Sequence, residues 1–214
     1  MLDDLDRELE RRGLRFVRYA DDCNIYVRSE RAGHRVMESI FRFIMTKLKL
    51  KVNQDKSAVA RPWNRKFLGF TFTHHRQPRR RIAPKSLLRF KTRIRELTKR
   101  NRGVDVNRMI RDLTRYLQGW RGYFGFCETR TVLADLDRWI RRRLRCFIWK
   151  QWKLGRTRFV ELRKRGLGVD LAAKIAGSRK GPWHISSSRA LNTALPGAYF
   201  ESLGLPKLTD SIRV

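Results

Sequence analysis

The 214-residue chain is long enough for one good core or two small ones. Its 51 Lys and Arg against 20 Asp and Glu leave a formal net charge of +31, a self-repulsion that opposes compaction and points to a polyanionic partner, nucleic acid ahead of an anionic membrane surface. No stretch reads as a lipid anchor or spanning helix, no Cys-x-x-Cys pair supports a zinc ribbon, and the three scattered cysteines, Cys23, Cys127 and Cys146, support no disulfide framework.

Residues 2 to 12 read as a helix, with Leu2, Leu5 and Leu9 on one side and Gly13 as a stop. This acidic opening lacks the apolar core of a secretory signal or transit peptide, and with the reduced cysteines it fits a cytoplasmic protein. "LRFVRYA" and "CNIYVRS" then read as two short strands around Asp21 and Asp22, a β-hairpin. From about Arg31 to Lys49 a helical stripe returns through Val36, Met37, Ile40, Phe41, Ile44 and Leu48. "LKLKV" leads through "NQDKS" to "RKFLGFTFT", residues 65 to 73, expected as a strand with its own glycine.

The basic, Pro-containing "HHRQPRRR", residues 74 to 81, reads as a domain boundary. His74 and His75 within it have no further ligands in view and read as a surface pair. Beyond it the pattern is helical. Leu87, Phe90, Ile94 and Leu97 recur on a first helix that Pro84 can open. Val106, Met109, Ile110, Leu113, Leu117 and Trp120 line a second. A third runs from about Thr131 to Lys153 with the stripe Leu133, Leu136, Ile140, Leu144, Phe147 and Ile148, and a small bundle buries all three faces. "GRTRFVELRKRGLG" and "LAAKIAG" suggest two further helices, and "GPWHISSSRALNTALP" is expected to be irregular. The fold class expected is α+β, with domains at 1–81, 82–153 and 154–214.

The paired carboxylates raise the chemical question. Neighbouring strand side chains point to opposite faces, so Asp21 and Asp22 reach one site only where the backbone turns. Two close ionised carboxylates repel unless a cation sits with them. Mg²⁺ takes oxygen ligands together with waters and substrate phosphates, and in phosphoryl transfer a metal pair clamps the attacking and leaving oxygens. The plain alternative is a polar turn, which both residues favour.

"YADD" between apolar strands resembles the metal-binding motif of reverse transcriptases, and "FVRYADDCNIYV" resembles its form in group II intron-encoded proteins. The order that follows is similar too: a helix, "LKLKVNQDKS", then "FLGF". "LTRYLQGWRGYFGF" and "LDRWIRRRLRCFIWKQWK" resemble the maturase-specific thumb, or X domain, and "GPWHISSSRALNTALPGAYFESLGLPKL" resembles the tails of bacterial members. The resemblance implies that Asp21 and Asp22 hold part of a two-Mg²⁺ site, with Tyr19 beside the primer terminus or the metal site and Ala20 in the same primer and nucleotide vicinity. It implies Lys56 near the incoming nucleotide, and Phe67, Leu68, Gly69 and Phe70 on the strand gripping the primer. The implied partners are group II intron RNA, an RNA template and a DNA primer.

In the family a third metal-binding Asp and the fingers precede the "YADD" strand pair. Here Asp3, Asp4 and Asp6 fall on the predicted opening helix, so the expectation is a partial palm that does not polymerise alone. It would complement an N-terminal reverse-transcriptase half, act as a non-catalytic RNA-binding splicing factor, or be a decayed remnant. The closing "LTDSIRV" carries no paired cysteines or His-Asn ligands of an endonuclease domain, so target-DNA cleavage is not expected. Retron or CRISPR-associated lineages are disfavoured by the maturase-like thumb.

For RNA binding the third bundle helix stands out. Arg141, Arg142, Arg143, Arg145, Lys150 and Lys153 lie on it among Trp139, Trp149 and Trp152, with no acid from Trp139 onward. Several of these arginines are expected to project to phosphates, with exposed aromatics stacking on unpaired bases. Arg79, Arg80 and Arg81 add charge at the palm–thumb junction.

Overall fold

The computed structural model describes residues 2–210; Met1 and residues 211–214, which close "LTDSIRV" and the expected 154–214 extension, lie outside the described residues. The chain divides into two compact units, Met1–Pro78 and Arg79–Val214.

The first unit is mixed α and β. Helix α1 (Leu2–Arg11) buries Leu5 and Leu9, four residues apart and therefore on one face. Gly13 ends it at φ 64°, with Gly13 N–H donating to Glu10 and Leu14 N–H to Leu9. That is the Schellman arrangement, and its left-handed position favours glycine. Strands β1 (Arg15–Tyr19) and β2 (Asp22–Tyr26) pair antiparallel, from Arg15 opposite Tyr26 to Tyr19 opposite Asp22. Helix α2 (Glu30–Thr46) is capped by Ser29, whose hydroxyl accepts from Ala32 N–H at 3.2 Å. The period-2 alternation of the hairpin puts Phe16, Cys23 and Ile25 inward. They pack with Val36, Phe43, Ile44 and Leu48 around the buried Leu5, Leu9 and Ile40.

Single turns of 3-10 helix follow at Gln54–Lys56 and Pro62–Asn64. The continuous strand expected over 65–73 is instead a tight turn leading into β3 (Phe70–Phe72). Phe67 and Phe70 exchange both backbone hydrogen bonds at 2.9 Å, with Leu68 at φ 49° and Gly69 at φ 78° between them. Two consecutive left-handed residues reverse a chain within a hairpin. Leucine is an unusual first residue for that turn, so the pattern reads as strand.

The second unit begins with β4 (Arg80–Ile82), then α3 (Pro84–Leu97), α4 (Val106–Phe124) and α5 (Arg130–Gln151). Proline opens α3 at its first position, and Asp105 caps α4 by accepting from Arg108 N–H at 2.8 Å. Phe90, Ile94, Met109, Leu113, Leu117, Leu133, Ile140 and Leu144 meet in the core, as the helical stripes predict.

Among the described residues five further helices follow: α6 (Gly155–Lys164), α7 (Val169–Ala176), α8 (Pro182–Ile185), α9 (Arg189–Ala194) and α10 (Gly197–Ser202). The stretch expected to be irregular, residues 181–196, thus holds two short helices, α8 and α9, and α10 follows directly after it. Each is too short for a periodicity to show, yet Leu191, Leu195 and Phe200 are fully buried. Helix α5 is consequently covered on more than its leucine stripe: Cys146, Trp149 and Trp152 are buried too. Asp137 is buried on the same helix, accepting from the N–H groups of Leu208 (3.0 Å) and Thr209 (3.3 Å). Among the described residues no helix is long and apolar enough to cross a membrane.

Candidate nucleic-acid interface

The hairpin tip is built from below. Asp6 on α1 accepts from Arg18 Nε at 2.7 Å and pairs with its Nη2 as well. Arg18 in turn donates from Nη1 to the carbonyl of Ala20 at 3.0 Å. The guanidinium holds the Asp6 carboxyl below its ordinary value, and Asp6 is thereby committed to the scaffold. Ala20 sits at φ 52° and Asp21 follows it in a two-residue turn; Asp22 opens β2. A left-handed alanine costs about 1–2 kcal/mol. Tyr19, Ala20, Asp21 and Asp22 are all exposed.

Asp21 and Asp22 are hard oxygen donors of the kind Mg²⁺ prefers. Among the described residues no group of three His, Cys, Asp or Glu gathers to hold a metal. Two carboxylates are fewer than the donors such an ion takes, so an ion held at the turn would need further donors from elsewhere.

Lys56 is exposed on its short 3-10 turn, where Asn53 Oδ1 accepts from Lys56 N–H at 3.2 Å and Arg65 Nη2 donates to the Lys56 carbonyl at 2.7 Å. Within the 67–70 turn, Leu68 is exposed while Phe67, Gly69 and Phe70 are half-buried. His74 is exposed with its ring edge-on to Trp63 at 4.2 Å, and His75 is exposed beside it.

The basic residues of the second unit separate into two kinds. Arg79, Arg80, Arg81, Lys150 and Lys153 are exposed, with Arg80 also 3.5 Å from Glu128. The arginines of α5 differ from the expectation that several reach outward. Arg145 is 8% exposed and donates from Nε to the Leu195 carbonyl at 2.8 Å. Arg141 lies 3.6 Å from Glu201. Arg142 donates to the Trp183 carbonyl at 3.0 Å, and Arg143 to Thr98 Oγ1 at 2.5 Å. The physical reason for Arg142 and Arg145 is the cover of the segment from α8 to α10, where the Trp183 and Leu195 carbonyls need donors that a long guanidinium can bring; Arg141 meets the Glu201 carboxylate there, and Arg143 is held instead at the end of α3. The tryptophans are likewise occupied: Arg158 lies over Trp149 at 4.7 Å and Arg165 over Trp152 at 4.9 Å.

Other cations, not singled out by the sequence motifs, stand at the surface. Lys85 and Arg89 on α3, and Arg111 and Arg115 on α4, are exposed at spacings of four. That i, i+4 recurrence on the face opposite each apolar stripe was the available signal.

Residues 1–72 match the family described as Reverse transcriptase (RNA-dependent DNA polymerase). The first unit is thus a reverse-transcriptase segment, and the hairpin with Asp21 and Asp22 lies within it. Residues 87–166, which span the three-helix core and α6, match the Group II intron, maturase-specific domain. The chain belongs to the group II intron reverse transcriptase/maturase family. No curated protein matches it.

Proposed function

We propose that the protein binds group II intron RNA for splicing and contributes Asp21 and Asp22 to RNA-templated DNA synthesis. The observation that carries this reading is the pairing of two family matches, reverse transcriptase and maturase-specific domain, in one chain of net charge +31. Asp21 and Asp22 would hold the metal pair together with a carboxylate from outside residues 2–210. Bound there, two Mg²⁺ ions supply charge neutralisation for attack of a primer 3′-hydroxyl on a deoxynucleotide. Arg18, locked by Asp6, keeps the tip carbonyl in place so that the two side chains stay at the turn. Tyr19 and Ala20 flank the primer end, and the Phe67–Phe70 turn supports the primer. Lys56 faces the leaving pyrophosphate and neutralises or protonates it. Arg79, Arg80, Arg81, Lys150 and Lys153 contact phosphates, in a cytoplasmic, nucleic-acid-associated protein.

A second reading, a non-catalytic splicing factor, is favoured by the lack of a three-ligand group among the described residues. Complementation separates the two. The chain is mixed with a polypeptide carrying fingers and an Asp-bearing palm strand, and primer extension on an RNA template is measured with Mg²⁺. The first reading expects extension only in the mixture, abolished by Asp21→Asn. No extension in any mixture, with intron binding intact, leaves the splicing factor.

A further inference from the structure

We propose that Trp183, pinned by Arg142, is a platform on which one unpaired RNA base stacks. The inference rests on the RNA-binding reading above and adds a site in the C-terminal segment.

Trp183 stands apart from the other tryptophans of its unit. Trp120, Trp149 and Trp152 are buried and Trp139 is half-buried, whereas Trp183 is 41% exposed. The Arg142 guanidinium carbon lies 4.0 Å from the Trp183 ring centroid, over the ring. Arg142 also donates to the Trp183 carbonyl at 3.0 Å and, from Nε, to Ser186 Oγ at 3.4 Å. Ser186 is 0% exposed, and its hydroxyl donates to the same Trp183 carbonyl at 2.7 Å. Guanidinium, indole and backbone therefore brace one another. A ring held on one face by a cation has little rotamer entropy left to lose when a base arrives on its open side.

The surroundings select the ligand. Arg179 and Lys180, just before α8, are exposed and have no ion-pair partner among the described residues. No acid occurs between Gly177 and Trp183. Cations beside a rigid aromatic suit a nucleotide, phosphate on the lysine and arginine and base on the indole. Duplex RNA hides its base faces, so the ligand is an unpaired nucleotide, with little preference among bases.

The test compares Trp183→Leu and Trp183→Phe with wild type, on an unstructured uridine-rich oligoribonucleotide and on a blunt RNA duplex. Stacking is expected to be lost in Trp183→Leu, with single-strand affinity falling about five- to 150-fold. Duplex affinity stays within about twofold, and Trp183→Phe keeps most of the single-strand binding. Equal single-strand affinity in Trp183→Leu overturns the platform while leaving RNA binding standing. A wild type that binds neither RNA sinks the underlying reading and the platform with it. Photocrosslinking of wild type to 5-bromouridine RNA guards against misfolding of the leucine variant. Adducts at Trp183 support the platform; adducts confined to other residues overturn it.

Discussion

Arg145 and Leu195 are joined by a buried hydrogen bond of 2.8 Å, from the guanidinium Nε to the carbonyl oxygen, across 50 residues of chain. Burial, aided by the neighbouring Arg141, pushes the Arg145 pKa down to about 10. A cation that looks like an RNA contact in the sequence thus fastens the C-terminal segment to α5.

Arg145→Met is expected to destabilise the second unit by about 1–3 kcal/mol, because the buried Leu195 carbonyl loses its donor. Thermal melting checks this. RNA affinity measured well below the melting range should stay within about twofold of wild type.

Lys150→Gln with Lys153→Gln should behave in the opposite way. Both side chains are exposed. The melting temperature is expected to stay put, while the slope of log affinity against log salt becomes shallower by about one unit for each phosphate no longer neutralised.

Acid should loosen the first unit through Glu8. The guanidinium groups of Arg11 and Arg12 hold its pKa at about 2, below the ordinary 4.5. A carboxyl with a lowered folded-state pKa contributes stability above about 4.5 that disappears as pH falls toward 2. The stability gap between wild type and Glu8→Gln should therefore be present at pH 6 and close between those two values. A gap independent of pH would contradict the assignment.

Ala20→Gly should stabilise the hairpin by roughly 1 kcal/mol, since glycine adopts the left-handed conformation without the alanine penalty. Denaturant unfolding monitors it.

Gly33→Ala should destabilise by about 1–3 kcal/mol, the usual cost of overpacking. A Cβ there would lie 2.6 Å from Val59 Cγ1, a stiff branched neighbour. Adding Val59→Ala should recover much of the loss, and a double-mutant cycle measures the coupling.

Much of the architecture was legible because periodicity is a local property. The stripes through Leu113 and Leu117, or through Ile140 and Leu144, mark buried helix faces without reference to anything distant. The hairpin around Asp21 and Asp22 was legible for the same reason, as two alternating strands about a polar pair. The Leu68–Gly69 turn was not, because a left-handed leucine leaves no compositional mark. Nor were the roles of Arg145 and Asp137. A charged residue reads as outward unless its partner is known, and here the partners are backbone groups of Leu195, Leu208 and Thr209, far along the chain. The short helices α8 to α10 escaped because each ends before one heptad of pattern accumulates.

The central claim, intron-RNA binding by a surface that does not depend on the carboxylate pair, is tested most directly by a salt titration. Affinity for a group II intron RNA and for an unrelated RNA of equal length is measured from low to moderate salt, with wild type and Asp21→Asn. The account predicts a steep fall of log affinity with log salt, identical curves for the two proteins, and tighter binding of the intron at moderate salt. Equal binding of both RNAs at that salt, or loss of intron binding in Asp21→Asn, would contradict it.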